Sequence, residues 1–225
     1  MSLFDEISSL NLPLHEKMEI YARQFLTAKP EVAQAHAEVV ERLVRADAGS
    51  HALTPGDTAP AFVLPDETGR LHRLDDLLQR GPLVASFNRG HWCSYCRLEL
   101  LSLNSELPNI RVRGGSVVSI MPDLPAQTRP LAERFRLDFP ILTDLDNGYA
   151  LQMGLLVSLG PAVSELMRRA GHDLAGSRGN AGWFVPIPAT YVIAPDRRIV
   201  AAHVDADFRR RMPISAIRSA LDSLG

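Results

Sequence analysis

The chain has 225 residues, 46% hydrophobic and 22% charged, with a formal net charge of −2, which fits a soluble globular protein. That length accommodates one domain of roughly 150–200 residues plus an extension. The near-neutral balance and the lack of a basic run exclude nucleic acid as an expected partner. No apolar run approaches the ~20 residues that span a membrane, so no membrane association is expected. The opening Met-Ser-Leu-Phe-Asp-Glu lacks the basic and apolar regions of a signal peptide, and a cytoplasmic location is the expectation.

Residues 1–50 read as a helical extension. Leu14, Met18, Tyr21 and Phe25 recur at spacings of four, three and four, which places them on one helix face. Lys29-Pro30 interrupts the pattern, with Pro30 suited to the first turn of a second helix. Val32, His36, Val39 and Leu43 form the stripe of that helix. A lone histidine on such a face reads as core or boundary, since a ligand or catalytic histidine needs convergent partners. Both stripes need a surface to cover, either the main domain or a second copy of the chain.

Residues 51–225 read as the main domain. A linker rich in Gly, Ser, Pro and Asp at 49–58 leads into a short strand, a turn over 66–69 and a short helix over 74–78. The apolar run at 83–87 is of strand type, and Leu98, Leu101 and Leu107 then recur at helical spacing. A second buried strand is expected at 116–121 and a helix over 125–135, with a short strand at 139–142 and a short helix at 147–153. Strand–helix–strand–helix order implies a parallel pair joined by a right-handed crossover. Residues 154–186 read as an insertion: a helix over 157–169 interrupted at Gly160-Pro161, then a Gly-rich loop over 171–182 ending at Trp183 and Phe184. It suits a lid, a dimer contact or a surface excursion anchored by two aromatics. Strands at 190–193 and 199–204 flank the hairpin turn Pro195-Asp196-Arg197-Arg198, and a helix over 213–224 closes the chain.

The chemistry concentrates between the run at 83–87 and the helix that follows. The only two cysteines, Cys93 and Cys96, stand at that junction. Unpaired backbone N–H groups and the helix dipole favour negative charge there, so a thiol loses its proton more easily and becomes the reactive thiolate. Cysteines three apart cannot staple distant segments, so the pair reads as a redox dithiol rather than a structural disulfide. They supply two zinc ligands with no second pair to complete four, and Arg97 stands where haem attachment requires histidine. No metal and no cofactor is expected.

Three blocks carry a family likeness: Gly56-Asp57 through Asp66 and Gly69, Phe87-Asn88-Arg89-Gly90-His91-Trp92-Cys93-Ser94-Tyr95-Cys96 with Glu99-Leu100, and Pro188-Ala189-Thr190-Tyr191-Val192-Ile193 with His203-Val204-Asp205 and Phe208-Arg209. Together they resemble the thioredoxin fold, and more closely its peroxiredoxin-like branch, the alkyl hydroperoxide reductase and thiol-specific antioxidant (AhpC/TSA) family, in its Cys-x-x-Cys form. The resemblance covers roughly residues 55–222. It implies an α/β domain of thioredoxin-like fold, a central mixed β-sheet flanked by helices, behind the N-terminal helical extension. It also implies a thiol-dependent antioxidant oxidoreductase that reduces hydroperoxides through a Cys93/Cys96 dithiol–disulfide cycle, restored by a thioredoxin or glutathione-type reductant. Two other functions fit the same residues: a thioredoxin-like oxidoreductase acting on protein or small-molecule disulfides, and a non-enzymatic, redox-responsive interaction module. The extra helices and aromatic insertion make a homodimer the expected assembly.

Cys93, nearer the helix start, is expected to be the more exposed and more acidic thiol and so to attack, with Cys96 resolving; a peroxiredoxin-type alignment reverses these roles. Trp92 is a shield for the sulfurs or plain packing, and His91 a thiolate partner or an exposed loop residue. Pro188 holds the place where the fold commonly carries a cis-proline beside the active-site helix, and that isomer is the expectation over a plain strand-entry proline. Typical peroxiredoxins have a threonine or serine where this chain has Cys93 and an arginine where it has Pro188. Arg89 is a replacement for that arginine or an ordinary solvated side chain.

Overall fold

The computed structural model describes residues 2–171 and 174–225. The extension forms three helices, α1 (Leu3–Ser8), α2 (Leu14–Ala28) and α3 (Pro30–Arg45). Ser2 caps α1 in a reciprocal box with Asp5, and Pro30 occupies the first turn of α3, where its missing N–H has no helical partner to lose. The face of α2 that carries Leu14, Met18 and Tyr21 is buried, as is the face of α3 that carries Ala35, Val39 and Leu43.

A small antiparallel pair, β1 (Val63–Pro65) and β2 (Leu71–Arg73), leads through α4 (Leu74–Leu78) into the central strand β3 (Leu83–Phe87). Then follow α5 (Ser94–Val112), β4 (Ser116–Met121), α6 (Pro125–Phe135), β5 (Ile141–Thr143) and, after a single 3₁₀ turn, α7 (Gly148–Gln152). The strand expected from residue 139 begins two residues later, at Ile141. The insertion carries β6 (Leu156–Ser158), α8 (Gly160–Arg169), α9 (Leu174–Arg178) and β7 (Phe184–Pro186). The hairpin β8 (Ala189–Ile193) and β9 (Ile199–Val204) precedes the closing helix α10 (Ile214–Asp222).

The main sheet has the order β5-β4-β3-β8-β9. Strands β3, β4 and β5 run parallel, while β8 is antiparallel to β3 and β9 antiparallel to β8. Every residue of β3 and β8 is buried, so these strands are apolar on both faces, as a sheet covered on two sides requires. Successive side chains split between two layers. Val84, aligned with Val117 and Val192, packs with Leu100, Leu103 and Leu107 of α5, whereas Ala85, Val118 and Tyr191 face the layer that includes Leu74 and Tyr149. This is the thioredoxin-like arrangement of a mixed sheet flanked by helices.

Two expectations for the insertion need correction. Residues 156–158 are not helical but pair with 184–186 as an antiparallel two-stranded sheet, and the helix begins only at Gly160-Pro161. Proline at the first turn starts a helix rather than breaking one there. The stretch expected as loop over 171–182 contains α9; its residues 172–173 lie outside the described residues. The β6–β7 pairing joins segments almost thirty residues apart, so short-range periodicity carries no trace of it.

Candidate active site

The site is built where β3 ends. Asn88 continues the strand, its N–H donating to the Ile120 carbonyl at 2.8 Å while its side-chain amide donates to the Ser86 and Ser119 hydroxyls. Gly90 then turns the chain at φ 143°, and a Cβ there would lie 2.6 Å from Trp92 Nε1 and 2.8 Å from Asp123 Oδ2. Only glycine makes this turn without displacing either group. Cys93 follows as the N-cap of α5, its Sγ accepting the Cys96 N–H at 3.3 Å. A thiolate sulfur thus takes the place of the usual capping oxygen, and the helix start favours its charge.

Both cysteines are free thiols and both are buried, Cys93 at 2% and Cys96 at 1% exposure. The expected order of exposure is kept only as 2% against 1%, because helices α1–α3 cover the start of α5, with Phe4, Ile7, Met18 and Tyr21 packed in one cluster with both sulfurs. The two thiols differ in what they face. Cys93, and not Cys96, lines a cavity of about 280 Å³. Tyr21 and Phe25 of α2, Val32 and His36 of α3, and Val163, Leu166 and Met167 of α8 wall that cavity. The extension and the insertion, the two parts outside the family likeness, thus enclose the thiol. The cavity was invisible in the sequence, because its walls come from segments more than a hundred residues apart.

Arg89 is buried and turned inward, its Nη2 3.5 Å from Cys93 Sγ. Its guanidinium lies 3.6 Å from the Phe208 ring centroid and 5.1 Å from that of Trp92. Burial raises the Cys93 pKa, but the Cys96 hydrogen bond and the Arg89 and Arg211 charges outweigh it and hold that thiol well below its ordinary value. Cys96 moves the other way: burial, its hydrogen bond to Cys93 and the Cys93 charge push it well above. The two thiols are therefore pushed in opposite directions, Cys93 towards the thiolate and Cys96 towards the thiol.

Trp92 is half-buried and lines the same cavity. His91 is held elsewhere: its N–H and Nδ1 lie 2.5 and 3.0 Å from Asp123 Oδ2, so its ring is engaged by a carboxylate rather than by sulfur. His36 lies against the cavity, stacked on Phe25 and edge-on to Phe208. Burial, with Arg89 and Arg209 nearby, lowers its pKa to about 3, so it is a neutral wall at pH 7. Pro188 is buried, but the cis expectation is corrected, for every peptide bond among the described residues is trans. The Ile187 N–H donates to the Leu155 carbonyl at 2.7 Å and holds Ile187 in line between β7 and β8.

Four residues that sequence reasoning missed complete the site. Arg211, from the segment before α10, reaches Cys96: its Nη2 is 3.7 Å from Sγ and its Nε donates to Glu99 Oε2 at 2.7 Å. Glu99 also accepts the Thr190 hydroxyl at 2.9 Å. A guanidinium is thus present although Pro188 holds the strand position typical of peroxiredoxins. Asp123 and Arg178 form a fully buried ion pair at 3.5 Å, and Arg178 donates to the Arg89 carbonyl at 2.8 Å, tying α9 to the loop that carries Arg89. Glu99 carried a signal, its place in the block with the family likeness, whereas Arg211, Asp123 and Arg178 carried none.

Fold and site together define a thioredoxin-fold protein with two free, buried thiols at the start of its first long core helix. The chain belongs to the AhpC/TSA family, whose model matches residues 55–202. It is 36% identical over 94 residues to the thiol-disulfide oxidoreductase ResA of Geobacillus thermodenitrificans, 41% of this chain and 53% of that one. It is 29% identical over 103 residues to peroxiredoxin Bcp of Escherichia coli, 46% of this chain and 65% of that one. The chain thus spans about half the length of ResA and just under two thirds of Bcp. The crystal structure of peroxidoxin BcpB from Mycobacterium tuberculosis superposes with a TM-score of 0.60 at 25% identity, covering 77% of this chain and 99% of that one.

Proposed function

We propose that the protein is a thiol-dependent peroxidase in which Cys93 attacks a hydroperoxide and Cys96 resolves the product. The observation that carries this is the Cys93 sulfur at the wall of an apolar cavity, hydrogen-bonded by Cys96 N–H and by Arg89. The Cys93 thiolate attacks the distal peroxide oxygen; the O–O bond breaks, and the departing alkoxide or hydroxide leaves as alcohol or water after taking a proton. Cys93 is then a sulfenic acid. Cys96 attacks its sulfur, water departs, and the Cys93–Cys96 disulfide remains. A thioredoxin or glutathione-type reductant restores the dithiol. The test is mass spectrometry of both cysteines after a stoichiometric dose of hydroperoxide, with the second-order rate of peroxide loss. A Cys93 sulfenic acid trapped in the Cys96→Ser variant supports the reading, and a rate no faster than free cysteine removes it.

A second reading, oxidation or reduction of disulfides, is favoured by Cys93 standing where typical peroxiredoxins have a threonine or serine. Reduction of an insulin-type disulfide that is lost in Cys93→Ser distinguishes it. The role of a non-enzymatic redox module is left only if both cysteines can be replaced by serine without functional loss. The same proposal carries a cytoplasmic location, consistent with a free dithiol, and a homodimer. Cell fractionation and sedimentation check these two points.

A further inference from the structure

We propose that Arg211, held in place by Glu99, activates Cys96 for closure onto Cys93, so that each sulfur of the pair has its own guanidinium. The proposal rests on the reading above only in taking Cys93 as the first thiol to react.

The geometry is specific. The Arg211 side chain is 2% exposed and its donors are assigned. Nε goes to Glu99 at 2.7 Å, Nη1 goes to the Phe208 and Arg210 carbonyls, and Nη2 faces Cys96 Sγ at 3.7 Å. Glu99 is itself fixed from its other oxygen by the Thr190 hydroxyl of β8. Burying such a pair costs desolvation that apolar side chains of similar volume would avoid, so stability alone gives no reason to keep it. Placing a fixed positive charge against a sulfur does give one.

The arrangement also orders the two steps. In the dithiol, the charged or titratable groups facing Cys96 are Cys93 and Arg97 from α5, Arg89 from the turn after β3, and Arg211; Glu99 stands behind Arg211. The charge of the Cys93 thiolate, which accepts the Cys96 backbone N–H at 3.3 Å, opposes a second thiolate beside it. Reaction at Cys93 removes that opposing charge, and among the described residues Arg211 is the cation within hydrogen-bond distance of Cys96. Cys96 releases its proton to solvent and its thiolate attacks Cys93. The S–S bond forms, the bond from Cys93 to its hydroxyl or thiol substituent breaks, and that group leaves with the electron pair and takes up a proton.

The test uses the full-length dithiol protein and 4,4′-dithiodipyridine in a single-turnover experiment. Capture at Cys93 releases one thiopyridone, and closure by Cys96 releases a second, so the two steps are read separately and no peroxide is involved. Cys96→Ser marks the first phase alone. The paired variant Glu99→Gln/Arg211→Met removes both charges and leaves neither buried ion without its partner, and Arg211→Lys keeps the charge. The expectation is a closure phase at neutral pH slowed about tenfold in the paired variant, equivalent to one pKa unit, with its pH midpoint moved upward. The capture phase is expected to slow by a clearly smaller factor than closure, since Arg211 also helps to hold the Cys93 thiol low while Arg89 is the guanidinium at its sulfur, and Arg211→Lys to restore most of the closure rate. Closure with unchanged rate and midpoint, or capture and closure slowed alike, overturns the proposal. If the paired variant does not fold, Glu99→Gln/Arg211→Gln takes its place, and a closure rate and midpoint unchanged there overturn the proposal as well. Slow peroxide consumption with biphasic release removes the peroxidase reading and leaves this one standing, whereas first capture at Cys96 overturns both.

Discussion

Arg89 Nη2 lies 3.5 Å from Cys93 Sγ, and the guanidinium is clamped over the Phe208 ring 3.6 Å away. The clamp matters because a freely rotating arginine would spend its charge on water, whereas a stacked, buried one keeps it on the sulfur. Arg89→Met preserves apolar bulk and removes the charge. Alkylation of Cys93 by iodoacetamide at neutral pH, followed by mass spectrometry, is expected to slow about tenfold, the equivalent of one pKa unit. An unchanged rate would show that Arg89 does not set thiolate character.

The lowered Cys93 pKa makes the stability of the dithiol protein depend on pH in a definite direction. Between that value and the ~8.5 of an unfolded thiol, the unfolded chain binds a proton at Cys93 that the folded chain does not. Stability from Cys93 is therefore complete above about pH 8.5 and lost as pH falls through the folded-state value. Urea midpoints of the reduced wild type and Cys93→Ser, compared from about pH 5 to 8, should diverge in favour of the wild type as pH rises. Parallel curves would sink the thiolate assignment.

The cavity predicts a size filter. Met167 of α8 lines it and is not among the groups that touch the sulfurs. Met167→Trp adds bulk to the cavity wall and is expected to lower the rate with cumene hydroperoxide about tenfold or more, with hydrogen peroxide changed less than about threefold, since a lost tenfold corresponds to ~1.4 kcal/mol of transition-state contact. Equal losses for both substrates would mean that substrate reaches Cys93 by another path.

The buried Asp123–Arg178 pair should be costly to break. Arg178→Met leaves the Asp123 carboxylate with His91 as its partner among the described residues and frees the Arg89 carbonyl. A loss of about 3–5 kcal/mol in urea unfolding is expected, as for other half-removed buried pairs. Adding Asp123→Asn should recover part of it. A loss below about 1 kcal/mol would mean that water or a rearranged His91 already neutralises the carboxylate.

The sequence by itself determined the strand, turn and helix that carry the dithiol. Alternation and apolar runs at 83–87 and 116–121, and the pairing of Cys93 with Cys96 at a helix start, depend on near neighbours in the chain and so leave a local signature. Only the tertiary structure decided what surrounds those sulfurs. Arg211 reaches Cys96 from 115 residues away, α8 closes the cavity from a segment whose β6–β7 base has no local pattern, and Pro188 is trans. The reason is physical. Backbone hydrogen bonds and side-chain periodicity are set over a few residues, but the charge and access of a buried thiol are set by whichever distant side chains the packed fold brings within a few ångströms of it.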